Sequence, residues 1–569
     1  MRHARGEAAA GDENSPANPA LKCSVPLHEG FTAGELPTTV TKTMDHVRWV
    51  RGAMRPRASW KPVVVLVELA SSWGCSQQPQ DAPVVPQSKP AVVRVDDAAV
   101  ERFCSGCHPL PRPDSFAKEQ WREEVTFAYG FHLESGRLDL IPPPREAAVA
   151  YFESRAPATL QLDPPLQTAD RHQPSPVEFI PKSIVLPRGE SPAVARIEPR
   201  HHSESGWVAT DMRGGGVWEL TPGKWQPRLS ARLPHPAGVA QLLFGDPPQP
   251  GCLYADLGSF LPADHTRGKV WWRPFGGDTL QPLITDLGRV SHLAVGDLDA
   301  DGDDDLVVSE FGWRTTGRLR AYWNNAPHLA QPQLTETLID PRHGAVRAEV
   351  VDLDGDGRLE VVAAFAQEHE SVDIYRPTQQ RTFVRERVYQ GVDPAVGTSS
   401  LLVVDLDQDG RRDILVAHGD SFDGGPLRPQ HGVIWLQQSL GGAWIPRDLG
   451  RLPGVHAVAA GDLDGDRDLD LLAVCLLPKL ILQQAEHRRL AAVVWLEQRD
   501  GAEFVPHVLE WDTCQHAAAA LADWDDDGDL DGLVGNYAWE PGNPELLKVW
   551  LNCGPRARPV DQGGLDRRD

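Results

Sequence analysis

Five acidic segments recur along the second half of the chain, and their spacing restricts its fold more than any other feature. They read Asp297-Leu-Asp299-Ala-Asp301-Gly-Asp303-Asp-Asp305, Asp352-Leu-Asp354-Gly-Asp356-Gly-Arg-Leu-Glu360, Asp405-Leu-Asp407-Gln-Asp409-Gly-Arg-Arg-Asp413, Asp462-Leu-Asp464-Gly-Asp466-Arg-Asp-Leu-Asp470 and Asp523-Trp-Asp525-Asp-Asp527-Gly-Asp529-Leu-Asp531. Their starts at 297, 352, 405, 462 and 523 lie 55, 53, 57 and 61 residues apart. A period of this size means one supersecondary unit used repeatedly, as in propellers and solenoids. A second marker shares the period: Gly216-Val-Trp218, Lys269-Val-Trp271, Ala321-Tyr-Trp323, Asp373-Ile-Tyr375, Val433-Ile-Trp435, Val493-Val-Trp495 and Lys548-Val-Trp550. Seven such strands, in units of four, predict a seven-bladed β-propeller over 177–553 in a mainly β protein. The seventh unit lacks the strand that follows the aromatic one elsewhere. Phe179–Leu186, ahead of the first unit, resembles it and is expected to complete the last blade. Closing the ring this way removes open sheet edges.

Each acidic segment places carboxylates at relative positions 1, 3, 5 and 9, usually with Gly at position 6. That is the oxygen-donor pattern of an EF-hand-like calcium loop without its helices. The twenty acids at those positions are the predicted ligands of about five calcium ions. Without cations, crowding them would be repulsive. The fourth loop fits least well, since Arg467 replaces Gly and adds positive charge. Each loop runs into a buried-looking strand such as Leu306-Val-Val or Leu471-Leu-Ala-Val. The segments resemble the FG-GAP (VCBS) repeat of integrin-α-like propellers, a resemblance covering about two-thirds of the chain. The sites read as structural rather than catalytic, because every oxygen is committed to the ion and no nucleophile or general base recurs beside it.

Ahead of the repeats stands Cys104-Ser-Gly-Cys107-His108, the only close pair among eight cysteines. CxxCH is the attachment motif of c-type haem: two thiols bond the macrocycle and the imidazole becomes an axial ligand. Zinc would need a second ligand pair nearby, and no Cys occurs between 109 and 251. Asp96 is placed to cap a helix through Val100 and Phe103 into the motif, and Asp114 or Ser115 to cap a second helix carrying Phe116, Trp121, Val125 and Tyr129. Residues 145–152 read as a third. This all-α unit, about 95–157, resembles a small cytochrome c domain. The usual distal Met is missing between residues 55 and 211, which leaves His132 as the local candidate for the sixth ligand.

Upstream, Arg55, Arg57 and Lys61 precede the apolar run Val63–Val67 and then Ser71-Ser72-Trp73-Gly74-Cys75. Residues 54–75 resemble a bacterial lipoprotein signal peptide, which implies export, with Cys75 lipidated and serving as a lipid anchor. Residues 1–53 then read as a disordered or mis-started extension, 76–94 and 158–176 as linkers, and 554–569 as a disordered tail. A net charge of −24 argues against a nucleic-acid partner. No apolar run reaches the ~20 residues of a membrane-spanning helix. No GxSxG elbow, P-loop or HExxH motif is present, so no catalytic residue is assigned.

His292, Arg347, Ser400, His456 and His516 open inner strands and are expected near a central channel, lining a wet pore. Cys514 and Cys553, both in the last unit, are the candidates for a disulfide in an oxidising compartment. The reading that unites these features is an exported, calcium-stabilised propeller carrying covalent haem, in electron transfer or redox-linked binding in the periplasm or at the cell surface. Its redox partner is not legible. Two alternatives are a non-enzymatic surface module recognising protein or glycan, and a dehydrogenase of the quinoprotein kind.

Overall fold

In the computed structural model, residues 96–160 and 175–556 are described, apart from 188, 201–205, 245–248, 275, 326–331, 422–426, 485–488, 500 and 502. The leader, Cys75 and the extension before it lie outside the described residues, as do most of the second linker and most of the tail. Among the described residues no helix is long and apolar enough to cross a membrane.

Seven four-stranded antiparallel sheets follow one another from Val194 to Pro555. Blade 1 runs from Val194–Pro199 to Arg228–Arg232, and blade 2 from Pro236–Phe244 to Gln281–Leu287. Blades 3 to 6 begin at Val290–Gly296, Ala345–Val351, Thr398–Val404 and Val455–Gly461, and blade 7 at His516–Ala522. These first strands are the innermost, and each packs against the first strands of both neighbours. The ring closes as expected. β1, Val177–Val185, is the fourth strand of blade 7 and pairs antiparallel with Glu545–Pro555, with Pro181 opposite Trp550.

The core lies between blades. Second strands such as Asp305–Glu310, Asp413–His418 and Asp470–Cys475 are buried at every position, because neighbouring sheets cover both of their faces. That is why they read as unbroken apolar runs rather than alternating ones. Third strands supply the large plugs: Trp323, Trp435 and Trp495 are completely buried. In blade 2 the buried ring is Trp272, while Trp271, the residue of the repeat marker, is half-buried. The strand Gly268–Arg273 alternates buried and half-buried, and the period of two turns Trp272 inward. Cys514 and Cys553 are both free thiols, so they do not pair here. Cys514 is buried with Cys475 in the core between blades 5 and 6, while Cys553 is only half-buried.

Three helices precede the ring: α1, Asp97–Cys104; α2, Trp121–Ser135; and α3, Arg145–Glu153. Asp96 caps α1 through the Ala99 N–H at 3.2 Å, as expected. α2 starts later than expected, because Ser115 and Asp114 are engaged elsewhere. Ser115 is buried and donates to Asp393 at 2.8 Å, and Asp114 pairs with Arg112. Trp121 and Phe152 stack at 4.0 Å to bind α2 to α3. The helical unit sits on the propeller through the Arg112 N–H to Asp393 at 2.7 Å, Gln430 to Ser115 at 2.9 Å, and Arg314 to Glu134 at 3.1 Å.

Candidate functional sites

Every acidic loop joins an inner strand to its second strand, and one pattern of hydrogen bonds shapes all five. The position-1 carboxylate accepts the backbone N–H of position 6: Asp297 from Gly302, Asp352 from Gly357, Asp405 from Gly410, Asp462 from Arg467 and Asp523 from Gly528, at 2.9–3.1 Å. Position 6 has a left-handed backbone in each, with φ of 95°, 83°, 87°, 83° and 97°. Gly adopts this freely; Arg467 does so against its Cβ.

The position-9 acids, Asp305, Glu360, Asp413, Asp470 and Asp531, are buried. Each accepts the position-2 N–H of its own loop, as Leu298 to Asp305 at 3.0 Å and Trp524 to Asp531 at 2.7 Å. Four also accept an N–H from near the end of the third strand: Asn324, Gln438, Gln498 and Asn552, at 2.7–2.8 Å. Their side chains therefore brace the loop against its own blade, which the repeat spacing did not reveal. Two of these amides also reach the preceding blade. Asn552 donates to the Leu463 carbonyl at 2.7 Å, and Gln498 to that of Leu406 at 3.4 Å.

Carboxylate oxygens converge in these loops. Asp297, Asp299 and Asp305 lie within 4.8 Å of one another, as do Asp352, Asp354 and Asp356; Asp405, Asp407 and Asp409; and Asp462, Asp464 and Asp470. Burial, reinforced by the neighbouring acids, pushes Asp305, Asp470 and Asp531 up to about 7 and Asp464 up to about 6. The set is suited to a hard, oxygen-seeking cation.

The second site lies in the helical unit. Cys104 closes α1 and is half-buried, its thiol pushed up to about 11 by burial, while Cys107 is exposed. A Cβ at Gly106 would come within 2.5 Å of the Leu140 methyl groups, so a larger residue between the cysteines would have to displace that side chain. His108 Nδ1 lies 2.8 Å from the Pro109 carbonyl oxygen. A carbonyl only accepts, so Nδ1 is the donor of this contact and Nε2 is the ring nitrogen it leaves uncommitted. Cys104, Cys107, His108 and His132 line one cavity of about 1460 Å³ with Phe127 and Phe131. Phe127 and Phe131 remain 51% and 44% exposed. His132 packs edge-on against Phe103 and turns Nε2 to the carbonyls of Arg137 and Leu140, each at 3.1 Å.

The cavity continues into the mouth of the propeller channel, where Arg347, Ser400 and His456 line it as expected. His292 and His516 do not; both are buried. His516 Nδ1–H donates to the Asn536 amide oxygen at 2.8 Å inside blade 7. Two acids of inner strands were missed, Glu198, which lines the cavity, and Glu349. Each takes an N–H from the inner strand of the next blade, Val239 at 2.6 Å and Val403 at 3.2 Å. They stitch blades together. A cluster of His343, Glu368 and His369 was also missed, since His343 comes from a different loop than the adjacent Glu368 and His369 and the three form no motif.

A family model described as FG-GAP-like repeat matches residues 297–363, 352–416 and 405–473. No curated protein matches the chain. The three matched spans start on the first, second and third acidic loops, and together they take in blades 4 and 5 and parts of blades 3 and 6. The chain thus carries FG-GAP-like repeats, set within a seven-bladed β-propeller.

Proposed function

We propose that this is an exported, calcium-stabilised propeller whose helical unit holds a covalent c-type haem for electron transfer or redox-linked binding. The observation that carries the reading is the CxxCH turn itself, with the His108 Nδ1–H held by the Pro109 carbonyl and Nε2 left free at the cavity wall. The surroundings fit a large apolar group: Phe127 and Phe131 face the cavity while partly exposed, and Leu138 and Ile141, flanking Leu140, are 94% and 85% exposed. Haem supplies a one-electron couple whose potential follows its axial ligands and burial. On this reading Cys104 and Cys107 are the attachment thiols and His108 the proximal imidazole. His132 would be the candidate for the sixth ligand, and since its Nε2 faces the carbonyls of Arg137 and Leu140, Nδ1 would be the nitrogen it offers. Phe116, Trp121 and Phe152, packed on one another, add apolar wall to the same cavity.

The five acidic loops would hold calcium, which lets their carboxylates remain ionised in close quarters. Both metals belong with export, because thioether attachment and millimolar calcium are found outside the cytoplasm.

The test is expression from Met54 in a host with haem-maturation machinery, followed by denaturation and spectroscopy. Haem absorbance should stay with the polypeptide and vanish in Cys104→Ala/Cys107→Ala. A colourless wild-type protein would overturn the haem reading. Metal analysis of the same sample should give about five calcium ions per chain; none would overturn the calcium reading.

A further inference from the structure

We infer that His343, Glu368 and His369 form a binding site for a borderline first-row divalent cation of the zinc type, separate from the acidic loops and from the CxxCH turn. His343 lies in the connection from blade 3 to blade 4. Glu368 and His369 lie in the turn between the second strand, Glu360–Phe365, and third strand, Ser371–Pro377, of blade 4. One donor atom from each falls within 4.8 Å of the others.

The donor set decides the metal class. Two imidazoles and one carboxylate suit zinc and its neighbours, whereas calcium takes oxygen donors. His343 Nε2 is 2.9 Å from Glu368, and the rings of His343 and His369 are 4.9 Å apart. A simple His–Glu hydrogen bond accounts for the first pair. It leaves His369 unexplained, because its Nε2 is shielded from solvent and has no hydrogen-bond partner among the described residues. A cation between the three would satisfy that nitrogen.

The backbone holds the donors firmly. Ala366 N–H donates to the Gly344 carbonyl at 2.8 Å, and Gly344 N–H to that of Phe311 at 2.8 Å, tying the two ligand segments together. Arg342, the nearest cation in sequence, is neutralised by Asp340 at 2.9 Å and Asp373 at 2.7 Å. His343 and Glu368 line the same large cavity. Three protein ligands beside an open space are the arrangement of zinc sites that keep a coordination position for water or a small ligand.

The experiment uses the full chain, calcium-saturated, with Cys104→Ser and Cys107→Ser so that those thiols take no metal. Zinc titration by equilibrium dialysis should show one tight site, weakened at least about 100-fold by His343→Ala or His369→Ala. Calcium content, checked alongside, should not change. Cobalt in the parent should give visible d–d bands of a nitrogen- and oxygen-ligated ion without a sulfur charge-transfer band. The cobalt spectrum keeps the test sound if a histidine variant misfolds. Zinc binding that survives both substitutions, or a parent that gives no such cobalt bands, would overturn the inference.

Discussion

Arg467 is the residue at which the repeat pattern and the backbone disagree most. Four loops place Gly at position 6, and the fourth places Arg467 at φ 83°. A side chain in the left-handed region costs about 1–2 kcal/mol. Arg467→Gly should therefore raise stability by about 1 kcal/mol, less a few tenths for the added freedom of the unfolded chain. Removing the positive charge should also tighten calcium in that loop. Amide exchange in blade 6 and calcium titration check both effects, and unchanged exchange would contradict the strain argument. At this scale the sequence was informative about ligand type but silent about bracing. Asp531 was legible as an acid at position 9. That its two oxygens meet the N–H groups of Trp524 and Asn552 depends on a strand twenty residues further on, which spacing within the loop does not encode.

Within an element, charge and burial combine to set a pH response. The loop acids Asp305, Asp464, Asp470 and Asp531 titrate at about 6 to 7 in the folded chain, raised chiefly by burial. Their unfolded value is about 4. A carboxyl whose folded value is raised favours folding fully below its unfolded value and loses that contribution as pH climbs through the folded one. The metal-free protein should thus melt at progressively lower temperature from about pH 4 to about pH 7. Calcium should flatten or reverse this, because it favours the ionised form. Paired thermal melts of metal-free and calcium-loaded protein across that window test the point; matching curves would refute it. The helices show what element-level reading misses. α1 and α3 appeared where periodicity and capping put them, but α2 began at Trp121 rather than after Ser115. Ser115 makes its hydrogen bond to Asp393, more than 270 residues away in sequence, and a local cap rule has no knowledge of that partner.

On the scale of the whole molecule, blade number and ring closure were legible because both follow from one repeated unit. Closure needed only the observation that β1 matched a strand missing from the other end. Removing residues up to 186 should expose the edge of Glu545–Pro555. Size-exclusion chromatography should then show association where the full chain runs as a single species; a truncated chain of unchanged size would argue against closure by this strand. The placement of the helical unit was not legible. It depends on Asp393, Gln430 and Arg314, ordinary polar residues of blade loops that gain meaning only through what they touch.

Val185 pairs with Glu545, so the first of the described strands to leave the ribosome must wait for the last of them before it has a neighbour. Throughout synthesis, and through any passage across a membrane, the nascent wheel has a gap. Whatever guards that gap during biogenesis, whether a chaperone or the speed of the final zippering step, governs how much usable protein a cell obtains.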